Sequence, residues 1–109
     1  EMTQRHMILV MYDGPTSAEF IEWMNGPHYD EVKATPGIVA ARRFEVADGP
    51  AGHRRYVAIL ETDDLEKTLA WRNSPEGQRS QKEANDWGVT NRYSLVCKLA
   101  HSTVPGETA

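Results

Sequence analysis

The sequence predicts an α+β fold, a single four-stranded antiparallel sheet with helices on one face, in the order strand, helix, strand, strand, helix, strand. Three observations predict it. Four extended runs occur, the first and third apolar on both parities; apolar residues at spacings of three and four fill the first-to-second and third-to-fourth intervals; and a Gly- and Pro-rich loop joins the second run to the third.

His6 to Tyr12 opens the pattern, with His6, Ile8, Val10 and Tyr12 on one parity and Met7, Leu9 and Met11 on the other, as in a strand covered on both faces. Asp13-Gly14-Pro15 stops it. Thr16-Ser17-Ala18-Glu19 then reads as a capping box, with Thr16 and Glu19 satisfying each other's exposed amides. Phe20, Trp23, Met24 and Val32 give the following helix one apolar face, and Gly26-Pro27 predicts a kink, with His28 beginning the second segment. Thr35-Pro36-Gly37 ends that helix. Ile38 to Val46 is a second strand, Ala47 to Gly52 a hairpin loop, and Arg55 to Glu61 the returning strand, apolar on both parities. Asp63, with Glu66 three residues on, caps a helix carrying Leu65 and Leu69, and Ser74-Pro75-Glu76-Gly77 breaks it. Gln78 to Asp86 reads as a short helix or turn. Asn91 to Ala100 is the last strand, with Tyr93, Leu95, Cys97 and Leu99 on one parity.

A chain of 109 residues suits one domain, expected over residues 6–100, with 101–109 a flexible tail lacking apolar periodicity and residues 1–5 a loose end. The net charge of -4 argues against nucleic acid as a partner, because phosphate binding needs a concentrated positive face. Arg42-Arg43 and Arg54-Arg55 read as strand and strand-end solubility residues, or alternatively as orienting an anionic ligand. The longest apolar stretch, Met7 to Met11, is far short of the ~20 residues of a membrane span, so no membrane partner is expected. Cys97 is the only cysteine, which excludes an internal disulfide and gives a cytoplasmic expectation; in an apolar strand it reads as a buried, poorly reactive thiol. The four histidines lack metal-ligand spacing, and neither a metal nor a cofactor is expected.

With both helices on one sheet face, the other face would stand bare although its residues are apolar. A second copy packed sheet to sheet is the economical cover, so a homodimer is expected.

Several stretches carry a resemblance: Arg5-His6-Met7-Ile8-Leu9, the helix with Trp23 and His28 before Pro36-Gly37, Tyr56-Val57-Ala58-Ile59-Leu60, and Ala70 to Gly77. Together they resemble the ferredoxin-like, dimeric α+β barrel superfamily, in particular its EthD-like and small polyketide-cyclase members of the olivetolic acid cyclase type. The resemblance spans about His6 to Leu99. It implies a pocket between sheet and helices, with His6 at a first-strand histidine position, His28 at a pocket position and Trp71 at a second-helix aromatic position. A histidine after that helix is replaced at or near Gly77, and a strand histidine by Tyr56. The superfamily includes cyclases, lactone isomerases, cofactor-free and haem-degrading oxygenases and ligand-binding domains.

His28 is the leading acid–base candidate, an imidazole with a near-neutral pKa beside a helix break. His6 and Tyr56 would polarise a substrate oxygen, or serve structure as a buried hydrogen-bonded ring and a cross-strand contact. Trp71, Ile8, Val10 and Ala58 form the expected apolar wall, with Trp23 and Met24 adding contacts from the first helix. His28 and His6 should converge on one void of about 300–1,000 Å³. The function so read is cofactor-free proton transfer on a small aromatic, polyketide-like or lactone substrate, in the isomerase, cyclase or lyase class. The alternatives are a cofactor-free monooxygenase and a non-catalytic small-molecule-binding or stress-response dimer.

Overall fold

The computed structural model describes residues 5–109, so the loose end expected at residues 1–5 lies, Arg5 apart, outside the described residues. Strands β1 (His6–Asp13), β2 (Ile38–Glu45), β3 (Tyr56–Thr62) and β4 (Thr90–Lys98) form one sheet in the order β2-β3-β1-β4, every neighbouring pair antiparallel. This is the split βαβ plan read from the sequence. Helices α1 (Ala18–Trp23) and α2 (Tyr29–Lys33) follow β1, while α3 (Leu65–Arg72) and α4 (Pro75–Asp86) follow β3.

Between α1 and α2, Met24–His28 is π-helical. Pro27 has no N–H to give to the carbonyl four residues back, and widening the turn by one residue lets the next N–H serve instead. The N–H of Tyr29 accordingly reaches the Met24 carbonyl, five residues back. The kink expected at Gly26-Pro27 thus takes the form of a wide turn that projects Met24 and His28 inward.

Because strand side chains alternate, the register sorts the sheet into two faces. Ile8, Val10 and Tyr12 of β1 lie opposite Leu60, Ala58 and Tyr56 of β3, beneath the helices. Met7, Leu9 and Met11 lie on the open face with Val57, Ile59, Phe44, Tyr93 and Leu95. The core forms on the helix side, where Tyr12, Phe20, Trp23, Met24, Tyr56, Ala58, Ala84 and Val89 pack together. On the open face Phe44 is 50% and Tyr93 46% exposed.

Three helix boundaries differ from expectation. Ser17, not Thr16, caps α1, its Oγ accepting the Phe20 N–H at 3.2 Å. The buried Tyr56 hydroxyl donates to the Pro15 carbonyl at 2.8 Å and holds the approach extended that far. Asp64, not Asp63, caps α3, because the Asp63 N–H still bonds the Gly37 carbonyl at 3.0 Å as an extension of the sheet. Ser74-Pro75 starts a helix rather than only ending one: Ser74 Oγ accepts the Gly77 N–H at 3.2 Å, and proline at the first helical position gives up an N–H that has no helical partner. Cys97 is half-buried on the open face, opposite Met7, rather than inside the core.

Candidate functional site

A partly open cavity of about 140 Å³ lies between the helix-facing side of the sheet and the helices. Ile8 and Val10 of β1 and Ala58 and Leu60 of β3 form its floor. Met24, Val32, Trp71 and Ala84 bring apolar surface from the helices. The π-helical turn places His28 on the wall, and Gly77 allows α4 to close against α3, since a Cβ there would sit 2.2 Å from the Trp71 carbonyl oxygen.

On these walls, His28 Nδ1 and the Tyr12 hydroxyl are buried without a hydrogen-bond partner among the described residues. His28 stacks on Trp23 at 4.8 Å, and Trp23 in turn stacks on Trp87 at 5.0 Å, so the imidazole plane is fixed from behind. Burial depresses the His28 pKa below 6.5; the nearby Glu31 carboxylate opposes this and Arg92 adds to it. The ring is therefore neutral near pH 7. Burial also raises the pKa of Tyr12, opposed by the charge of Arg43 and by its guanidinium N–H groups, which approach the phenol oxygen without reaching hydrogen-bond geometry, so the phenol stays protonated and able to donate. Tyr29, again through burial, has its pKa raised strongly. Glu31 does not compete for the cavity, since its carboxylate is bound by Arg79.

Of the residues singled out from sequence, His28, Ile8, Val10, Met24, Ala58 and Trp71 line the cavity. His6, Tyr56 and Trp23 do not. His6 sits one step beyond Ile8, opposite Thr62, and the 2.7 Å hydrogen bond between Thr62 and Thr68 ties sheet to α3 at that end, so the two histidines do not converge. Tyr56 is 2% exposed with its hydroxyl committed to Pro15, which removes it as a donor to substrate. Trp23 is packed behind His28 in the core. The cavity is also smaller than the void expected. Sequence reasoning did not single out Tyr12, Tyr29, Arg72 or Arg92, all of which line it. Tyr12 shared the parity of Ile8 and Val10, which was the available signal; the arginines carried none.

No protein-family model matches the chain, and no curated protein matches its sequence. Solved structures do match. A hydroxynitrile lyase from Passiflora edulis superposes with a TM-score of 0.73 at 12% identity, over 92% of this chain and 97% of that one. SnoaB, a cofactor-independent oxygenase from Streptomyces nogalater, gives 0.72 at 14% identity over 94% and 98%. An EthD family protein from Bacillus halodurans gives 0.63 at 18% identity over 84% and 95%. The chain has the ferredoxin-like fold that these structures share. That fold hosts different reactions, so it places the cavity while the side chains there must carry the chemistry.

Proposed function

We propose that this barrel is a cofactor-free enzyme that transfers a proton on a compact, largely apolar small molecule, in the isomerase, cyclase or lyase class. The observation that supports the reading is the pair of buried, unpartnered polar atoms, His28 Nδ1 and Tyr12 Oη, on two residues that line one largely apolar cavity. Leaving a buried polar group unpaired costs about 1–3 kcal/mol. A substrate that pairs with both recovers that cost in the complex. In the tautomer protonated on Nε2, His28 presents a lone pair at Nδ1 and takes a proton from a carbon acid beside a carbonyl. The Tyr12 hydroxyl donates to the oxygen on which negative charge develops, and the same imidazolium returns the proton at a second atom. Trp71 supplies a face for a planar substrate.

The similarity to a hydroxynitrile lyase and to a cofactor-independent oxygenase supports both the cofactor-free reading and its runner-up, a monooxygenase in which the substrate carbanion reacts with oxygen. Abstraction starts both reactions, and oxygen uptake separates them. The open sheet face, with Leu9, Ile59, Phe44 and Leu95 unpacked in one chain, supports a homodimer closed by a second copy.

The test is deuterium incorporation at carbon in D2O, followed by NMR, over a panel of small aryl ketones, β-diketones and lactones. Exchange of at least one compound is expected, falling about 10²–10⁴-fold in His28→Gln. Undiminished exchange in the variant overturns the assignment of His28. Binding of the panel without any exchange favours the non-catalytic reading.

A further inference from the structure

Arg72 on α3 and Arg92 on β4 both line the cavity, and no aspartate or glutamate among the described residues does. Arg92 lies two residues from Ser94 on the same face of β4, and Arg72 donates to Ser94 Oγ at 2.8 Å. With a strand rise of about 3.3 Å per residue, the two guanidinium groups reach β4 at points roughly 7 Å apart. Arg92 in turn donates to the Asn85 side-chain oxygen at 2.9 Å. Both recorded partners are neutral, and among the described residues neither arginine forms a salt bridge. A guanidinium carries five N–H donors in a planar fork, so most of the donors of each remain free.

We propose that Arg72 and Arg92 form an anion-binding end of the cavity and that the substrate is a small carboxylate with an apolar body. The identification of this ligand as the substrate rests on the proton-transfer reading, whereas the binding site itself does not. Two like charges at a partly buried site repel one another and lose hydration. Both effects act on Arg92, its pKa lowered by burial first and by Arg72 second. Such a pair is tolerated where an anion completes it. A carboxylate fits the guanidinium forks in planar, bidentate geometry. The apolar floor of Ile8, Val10 and Ala58 and the ring of Trp71 then hold the remainder of the molecule. In a chain of net charge -4, this concentration of positive charge at one cavity selects ligands by sign.

The test uses the full chain and two matched probe pairs, benzoate with benzamide and phenylacetate with phenylacetamide, titrated by calorimetry at low and high salt. At least one carboxylate should bind about tenfold or more tightly than its amide, weaken with added salt, and lose about tenfold or more in Arg92→Gln and in Arg72→Gln. Equal affinity of acid and amide overturns the proposal, as does failure of both carboxylates to bind at 10 mM, roughly the weak end of specific recognition. The matched pairs decide the matter on the unaltered protein even where an arginine variant fails to fold. Carboxylate binding that persists in His28→Gln while carbon-proton exchange is absent from the unaltered protein leaves the anion site standing and removes the enzymatic reading.

Discussion

Gly77 is the tightest approach in the cavity wall, and alanine there should be costly. A Cβ would lie 2.2 Å from the Trp71 carbonyl oxygen and 2.6 Å from that of Arg72, both backbone atoms without a rotamer to yield. Ordinary carbon–oxygen approach is about 3.3 Å, so the α3–α4 junction must open by roughly 1 Å. Opening it also strains the Ser74 cap, whose Oγ accepts the Gly77 N–H. Overpacking costs about 1–3 kcal/mol and a lost cap about 1 more. At about 4–8 °C per kcal/mol for a domain near this size, Gly77→Ala should lower the melting temperature by about 10 °C or more. Circular dichroism melts at matched protein concentration measure it. Gly26→Ala is the control, since nothing lies within 4 Å of its Cβ position and a helical glycine-to-alanine change there should be neutral or stabilising. Melting of Gly77→Ala within about 2 °C of the parent would show that the α3–α4 junction opens without cost.

Tyr12→Phe removes a buried hydroxyl with no partner, so stability should hold or rise while turnover of a true substrate falls about 10²–10³-fold. Parallel losses of stability and turnover would show a structural role instead. Light scattering should give twice the 12.3 kDa chain mass at micromolar concentration, and Leu9→Glu, a charge in the middle of the open face, should shift it to monomer; a monomeric parent refutes the pairing. Cys97 lies on that face, so its thiol should label slowly in the parent and faster in Leu9→Glu, with equal rates contradicting the covered face.

The element order was legible because period-two and period-three-to-four patterns are local, and the strand parities of β1 and β3 already separated Ile8, Val10 and Ala58 from Met7, Leu9 and Ile59. Trp71 and His28 were found through resemblance and helix context. Of the two readings of Tyr56 the cross-strand contact holds, its ring 5.3 Å from that of Tyr12, while the substrate-donor reading fails because its acceptor, Pro15, lies 41 residues away, a distance over which pairing leaves no trace in spacing. His6 failed for a related reason: the Thr62–Thr68 contact at that end of the sheet joins the consecutive elements β3 and α3, far along the chain from His6, so no spacing around His6 marks it. Nothing in the sequence distinguishes Arg72 and Arg92 from the other arginines, and only the tertiary fold shows that one helix and one strand bring their charges to a common cavity. Ser74-Pro75 carries both stop and start signals for a helix, and the start signal also applied.

The central claim, that His28 is a neutral imidazole held in the wall of a ligand cavity, is tested most directly by NMR titration of its side chain. An unfolded histidine takes its proton near 6.5. Burial depresses the folded value, so the proton binds the unfolded chain more readily, and stability present above pH 6.5 is lost as the pH falls toward the folded midpoint. A His28 midpoint below 6.5 is expected, with an acid-side loss of stability that His28→Gln removes and movement of the His28 ring signals by bound phenylacetate while those of the exposed His53 and His101 stay in place. A His28 midpoint at or above 6.5, with ring signals indifferent to the ligand, would contradict that claim.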